Sequence, residues 1–208
     1  MKPDRIIPAV SLLITLLIAP LWASAADNII DMVPIPGKSY EIGKYELTQG
    51  QWRAVMGNNP SKFGKCGDNC PVEAVSWEDV QIFLGKLNAE TGKHYRLPTE
   101  AEWEFACLGG FASEYCGGNV ANAVAWTEEN SNGKTQTVGQ KQANGYGLYD
   151  MSGNVWEWTN DCTEEHCALR GGSWKHSALI TRVTDRNANS PDFRCLSDGL
   201  RLARTIEP

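Results

Sequence analysis

Apolar residues recur at helical spacing in the middle of the chain. The apolar positions between Val80 and Leu87 fall on one face of a helix. Ser76 precedes this face, and Asp79 follows Ser76 by three residues, which is the spacing of a capping box. Gly92 supplies a stop signal at the other end. The pattern therefore predicts a helix between Ser76 and Gly92.

Two shorter helices are predicted by the same kinds of signal. Thr48 is placed to cap a helix over Gln49–Met56. Thr99 begins another helix that runs to Cys107, with Glu102 placed to reach back to its first turn.

The rest of the chain predicts short strands and long loops. From residue 108 onward it is rich in Gly, Asn, Ser and Trp and has no convincing helical period. Strands are predicted near the start of the domain and at four later places: Met32–Gly37 with Tyr40–Gly43, then Thr135–Val138, Leu148–Tyr149, Val155–Trp158 and Gly199–Ala203. These elements predict one irregular α+β domain with little regular secondary structure.

The N-terminus has the three parts of a secretory signal peptide. Lys2 and Arg5 precede an apolar run over Ile6–Trp22, and Ala23-Ser24-Ala25 forms a cleavage site. We expect cleavage after residue 25 and export of residues 26–208 to the periplasm or the medium. The alternative is a membrane anchor, for which the run is close to the lower length limit.

Charge and hydropathy exclude some partners. The chain of 208 residues carries a formal net charge of −6 and has no block of basic residues, which argues against nucleic acid and anionic membranes. No other long apolar run follows the predicted signal, so we expect no membrane association after cleavage. We expect a monomer.

Six of the seven cysteines form close pairs along the sequence, which predicts three disulfides in an exported protein. The pairs are Cys66 with Cys70, Cys107 with Cys116, and Cys162 with Cys167. A zinc site is the alternative, but the spacings and the few histidines argue against it. Cys195 has no partner in this scheme.

Four motifs occur in order: Tyr95–Glu104 (YRLPTEAEWE), Asn144–Trp158 (NGYGLYDMSGNVWEW), Leu169–Trp174 (LRGGSW) and Gly199–Arg204 (GLRLAR). Together they resemble the sulfatase-modifying-factor family, whose domain is of the formylglycine-generating-enzyme type. The resemblance extends from Met32 to Arg204. It implies a variant of the C-type lectin fold with little regular secondary structure.

The resemblance argues against the family's enzymatic activity in this chain. Enzymes of the family oxidise a substrate cysteine with two copper-binding cysteines, since Cu(I) needs thiolate ligands. The matching positions here are His176 and Thr181, and neither is a thiol. We therefore expect no catalytic residues and no copper. A divergent formylglycine-generating oxidase acting on a sulfatase cysteine, or an exported maturation factor, remains the alternative.

The resemblance also implies a structural calcium ion. Its ligands would be two carboxylates and two backbone carbonyls, from Asp150, Gly153, Val155 and Glu157, which is an oxygen set that suits a hard cation. The alternative is that the two carboxylates cap turns and pair with arginine.

The segment 175–198 is the predicted binding surface for a protein or other macromolecule. Apolar and charged side chains mix there without the period of a strand or a helix. The arrangement resembles the variable proteins of diversity-generating retroelements, and ordinary loop divergence is the alternative. The predicted ligand-binding residues are Lys175, His176, Ser177, Leu179, Ile180, Val183, Asp185, Phe193, Cys195, Leu196, Ser197 and Asp198.

Overall fold

The structure, a computed structural model, describes residues 30–206. The predicted signal peptide lies outside this range. Within the described residues, no helix is both long enough and apolar enough to cross a membrane.

The three predicted helices are present, and each begins at a complete capping box. Thr48, Ser76 and Thr99 each accept a hydrogen bond from the backbone three residues ahead, and the side chain at that third residue binds back to the cap. The helices of the described part are α1 (Gln49–Met56), α2 (Trp77–Thr91), α3 (Glu100–Leu108) and the short α4 (Ala121–Val124). Two 3₁₀ turns lie at Gly64–Cys66 and Ala178–Thr181.

The first sheet joins the two ends of the domain. Its strands are β1 (Met32–Pro34), β2 (Tyr40–Gly43), β3 (Tyr95–Arg96) and β8 (Ala203–Thr205), in the order β1-β2-β8-β3. All neighbours are antiparallel, and β8 from the C-terminus lies between β2 and β3.

The second sheet includes part of the segment 175–198. It contains β4 (Trp156–Cys162), β5 (Cys167–Arg170), β6 (Arg186–Asn189) and β7 (Asp198–Leu200), in the order β6-β5-β4-β7. β4 and β7 are parallel, whereas the other neighbours are antiparallel.

The predicted C-terminal strand was wrong as a single element. The segment Gly199–Ala203 is divided between the two sheets, because β7 ends at Leu200 and β8 begins at Ala203. Between them, the side chain of Arg201 points into the interior and is fully buried. The predicted strand at Val155–Trp158 is confirmed as the beginning of β4.

Two other predicted strands are loops, because side chains and isolated backbone carbonyls, rather than a neighbouring strand, accept from their backbone N–H groups. In 135–138, Gln136 N donates to Asn154 Oδ1 at 2.9 Å. In 148–149, Leu148 N donates to Asn144 Oδ1 at 3.1 Å. A backbone that is bound by side chains in this way does not need a neighbouring strand. β3, β5 and β6 were not predicted.

The three predicted disulfides are confirmed. Cys162–Cys167 closes the β4–β5 hairpin, and Cys107–Cys116 ties the end of α3 to the following loop. Cys66–Cys70 closes a short loop after α1. Cys195 is the free cysteine of the described chain.

A buried ion pair connects the two sheets. Arg201 Nη2 lies 2.8 Å from Glu157 Oε1 on β4. Arg201 also donates to the carbonyl of Gly43 on β2 at 2.8 Å and to that of Tyr149 at 2.7 Å. The other carboxylate oxygen of Glu157 accepts from Trp103 Nε1 at 2.6 Å. One guanidinium therefore holds both sheets and the 149 loop together.

We predict that Arg201→Met destabilises the protein by about 3–5 kcal/mol, because Glu157 would keep a buried and unpaired charge. Urea unfolding followed by tryptophan fluorescence measures the change. Arg186→Met is the matched control, because Arg186 pairs with Glu100 at an exposed position and its loss should cost less than about 1 kcal/mol. Equal unfolding midpoints for the two variants would contradict the role of Arg201.

Candidate functional site

The segment 175–198 is fixed to the domain at several points. Arg194 binds both carboxylate oxygens of Asp79 on α2, at 2.6 and 2.7 Å. Arg182 pairs with Glu114 at 2.7 Å. Trp174 Nε1 donates to the carbonyl of Leu196 at 3.2 Å. These contacts hold an irregular surface in one arrangement.

Four large apolar side chains of this segment face solvent. They are Leu179, Ile180, Phe193 and Leu196, and Leu179 is 58% exposed. Exposed apolar groups on a fixed loop are typical of a protein-binding surface when they lie close together.

The prediction was wrong for Val183. Its side chain is only 4% exposed and packs in the core with Trp103 and Met151. Val183 N also donates to the carbonyl of Glu114 at 3.0 Å. A side chain that fills the core cannot also contact a ligand at the surface.

Six of the twelve predicted residues line one small cavity of about 160 Å³ on the second sheet. β4, β6 and β7 supply part of the wall, and the loops that flank β7 and follow β5 supply the rest. The lining residues are Trp156, Lys175, His176, Asn187, Asn189, Phe193, Cys195, Ser197 and Asp198. Ser197 and Asp198 are buried, so they belong to the wall of this cavity and not to the exposed face.

Of the two positions where the family enzymes have thiols, the cavity contains only His176. Its Nδ1 lies 2.7 Å from Ser173 Oγ, and its ring meets the edge of Trp156. Burial, together with the charge of Lys175, lowers the pKa of His176. Thr181 is fully buried and donates to the carbonyl of Ala178 at 3.0 Å. The side chains of His176 and Thr181 are therefore each engaged in a hydrogen bond within the domain.

A second cluster of charges lies in the interior, around the residues predicted to bind calcium. The carboxylate oxygens of Glu157 accept hydrogen bonds from Arg201 and Trp103. Asp150 Oδ2 accepts from Gly139 N at 2.6 Å, whereas its buried Oδ1 has no hydrogen-bond partner. Gly153 N donates to the carbonyl of Gly171 at 2.8 Å.

Glu46 completes this cluster, and no sequence pattern pointed to it. Its Oε1 accepts from Val155 N at 3.0 Å, and its Oε2 accepts from Asn154 Nδ2 at 2.6 Å. It therefore holds the turn that leads into β4. No motif contains it, and only the fold brings it beside Asp150.

Three buried carboxylates share one guanidinium in this cluster. Burial raises the pKa of Glu46 well above its usual range, and the negative charges of Asp150 and Glu157 add to the effect. Burial raises the pKa of Asp150 to about 6. Within residues 30–206, no three His, Cys, Asp or Glu side chains are grouped closely enough to hold a metal ion.

We predict that Asp150→Asn removes a pH-dependent loss of stability. The folded wild type keeps a proton on Asp150 up to about pH 6, whereas the ordinary value for the group is 3.8. Wild-type stability therefore falls as the pH rises through this window. The variant keeps an acceptor for Gly139 and should gain up to about 3 kcal/mol over the wild type across the same window.

Urea unfolding at pH 4 and pH 7.5 in the presence of EDTA measures this difference. A stability difference that is the same at both pH values would contradict the assignment, because a purely steric effect of the substitution does not depend on pH.

The fold and the cavity define the class of protein. This is a disulfide-bonded α+β domain with little regular secondary structure, in which irregular loops on one sheet form a recessed surface. The chain belongs to the family described as the sulfatase-modifying factor enzyme 1-like domain, which matches residues 24–206.

Two relatives and one solved structure illustrate the similarity. The chaperone protein LppX of Paenibacillus barcinonensis is 33% identical, and the match covers 80% of each chain. The formylglycine-generating enzyme of Mus musculus is 32% identical over 73% of this chain, which spans only 50% of the enzyme. The structure of Treponema denticola variable protein 1 superposes with a TM-score of 0.76 at 31% identity, covering 85% of this chain and 92% of that one. The expected formylglycine-generating-enzyme-like, C-type-lectin-like fold is confirmed.

Proposed function

We propose that this protein is an exported, non-catalytic recognition protein that binds a protein or other macromolecule through its 175–198 face. The observation that carries the proposal is the group of exposed apolar side chains on a segment that ion pairs hold in place. Leu179, Ile180 and Phe193 would be the anchors of such an interface, because burying apolar side chains supplies most of the binding energy. Leu196 is exposed near Trp174 and would extend it.

The similarity to the treponemal variable protein supports this reading of the scaffold. Variation of the segment 175–198 between related copies is part of the proposal. Three disulfides in the described chain support export, because such bonds persist in oxidising compartments.

We predict that Leu179→Ser, Ile180→Ser and Phe193→Ser together abolish binding. Losing three apolar anchors should weaken affinity by at least about 100-fold. The measurement is crosslinking and mass spectrometry of surface and secreted proteins from the producing organism, followed by titration of the partner identified. Ile82→Ser with Phe111→Ser is the control, because these side chains are also large, apolar and exposed but lie outside the segment. Binding that survives the first set, or is lost equally in the control, would contradict the proposal.

The proposal that the protein is not a formylglycine-generating oxidase can be tested directly. We expect no aldehyde when the purified chain is incubated with copper, oxygen and a Cys-x-Pro-x-Arg peptide, because neither His176 nor Thr181 supplies a thiolate. Peptide mass spectrometry detects the product. Formation of aldehyde would establish the alternative, a divergent formylglycine-generating oxidase.

We also propose that calcium stabilises the domain at Asp150, with carbonyl ligands from Gly153 and Val155. The unpartnered Oδ1 of Asp150 and the excess of buried negative charge support this proposal. Glu157 would contribute mainly through its charge, because its oxygens are bound by Arg201 and Trp103.

We predict that millimolar calcium raises the melting temperature of the wild type by several degrees relative to EDTA, because a ligand that binds only the folded chain at 100 times its Kd adds about 2.7 kcal/mol. Asp150→Asn should remove this gain. Scanning calorimetry of both proteins with calcium, magnesium and EDTA measures it. An unchanged wild-type melting temperature would refute the calcium site.

A further inference from the structure

The free thiol of the described chain lies in the wall of the cavity on the second sheet. Cys195 is partly exposed, so a small reagent can reach its sulfur. The other six cysteines are bonded in pairs. Cys195 is therefore a distinct chemical group.

Two polar groups lie within hydrogen-bond distance of this sulfur. Lys175 Nζ lies 3.1 Å from Cys195 Sγ, and Ser197 Oγ lies 3.2 Å from it. A cation and a hydroxyl at these distances stabilise negative charge on sulfur, which is the charge of an attacking thiolate.

A buried carboxylate lies behind the hydroxyl. Ser197 Oγ is also 2.9 Å from Asp198 Oδ1. A hydroxyl has one proton and can accept another, so Ser197 can take the proton of the thiol while it passes its own to Asp198. Burial raises the pKa of Asp198 to about 6, so the carboxylate can take up this proton near neutral pH.

The wall of the cavity also includes a residue whose buried donor is unused. Trp156 is only 3% exposed and lines the cavity, and its Nε1 has no hydrogen-bond partner within the described chain. An unpaired buried donor is costly, and a bound acceptor would remove that cost. With Lys175 beside it, the matching acceptor is an anionic oxygen such as a carboxylate. The volume of about 160 Å³ equals about five water molecules, so the cavity has room for one half of a small disulfide while the other half extends into solvent.

We propose that this cavity captures small disulfides that carry a carboxylate, such as cystine, by thiol–disulfide exchange at Cys195. The sulfur of Cys195 attacks one sulfur of the bound disulfide, and a new S–S bond forms as the old one breaks. The leaving thiolate takes the electron pair and is released as a thiol after gaining the proton that Cys195 gave up. One disulfide is consumed and one is formed, so no other oxidant is required.

The site lies on the face proposed for macromolecular recognition, but the exchange needs no macromolecular partner. Its failure and the failure of the recognition function are therefore distinguishable.

The experiment incubates the purified chain, residues 26–208, with cystine and follows intact mass with time. We expect one cysteinyl adduct, located at Cys195 by digestion, and none in Cys195→Ser. Lys175→Met and Trp156→Phe should each slow the reaction about tenfold, because each removes one contact to the sulfur or to the carboxylate. Lys86→Met is the matched control on the exposed side of α2 and should react like the wild type.

A second disulfide tests the carboxylate. Cystamine has the same disulfide without carboxylates and should react about tenfold more slowly than cystine, relative to their rates with the urea-unfolded chain. The proposal is overturned if the folded chain forms no adduct while the unfolded chain does. It is also overturned if Lys175→Met, which changes an exposed side chain and leaves the core intact, reacts as fast as the wild type, or if cystamine matches cystine.

Discussion

The buried ion pair between Arg201 and Glu157 is the interaction on which the arrangement of this domain depends. Regular structure is sparse, and the two sheets share no strand. The guanidinium reaches Glu157 on β4, the carbonyl of Gly43 on β2 and the carbonyl of Tyr149 in a long loop. It satisfies groups that would otherwise be buried without partners, and it does so at the point where the chain passes from one sheet to the other. The loops can therefore be irregular while the sheets keep a fixed relation.

The same interior explains why a cation would be favourable there. Glu46 and Asp150 add two further carboxylates to a region with one guanidinium, and burial weakens their hydration. Protonation relieves the repulsion at low pH. A bound cation could relieve it at neutral pH, where the unpartnered oxygen of Asp150 would gain a partner. The turn before β4 therefore combines a structural role with two carboxylates whose pKa values are raised by burial.

The proposed binding surface lies on the sheet that the buried ion pair holds in place, but its residues are not part of that ion pair. β4, β6 and β7 supply part of the wall of the cavity, and loops of the 175–198 segment supply the rest. Of the exposed apolar side chains of that segment, Phe193 lines the cavity. His176 and Thr181 occupy the two positions that the sequence resemblance matched to thiols, whereas the free thiol of the described chain is Cys195 beside Lys175. A scaffold that keeps its sheets and its buried charges can change the residues on this face without losing its fold.

The sequence by itself determined the three capped helices, the disulfides and the family, because each depends on residues that are close together or on a continuous motif. It could not place Arg201 in the interior, divide Gly199–Ala203 between two sheets or bring Glu46 beside Asp150. Those outcomes depend on contacts between residues more than 40 positions apart. For the same reason, the prediction from sequence placed Val183 on the surface. It also did not distinguish the residues that line the cavity from those on the exposed face. Which side of a short strand is buried is decided by what packs against it, and only the tertiary structure contains that information.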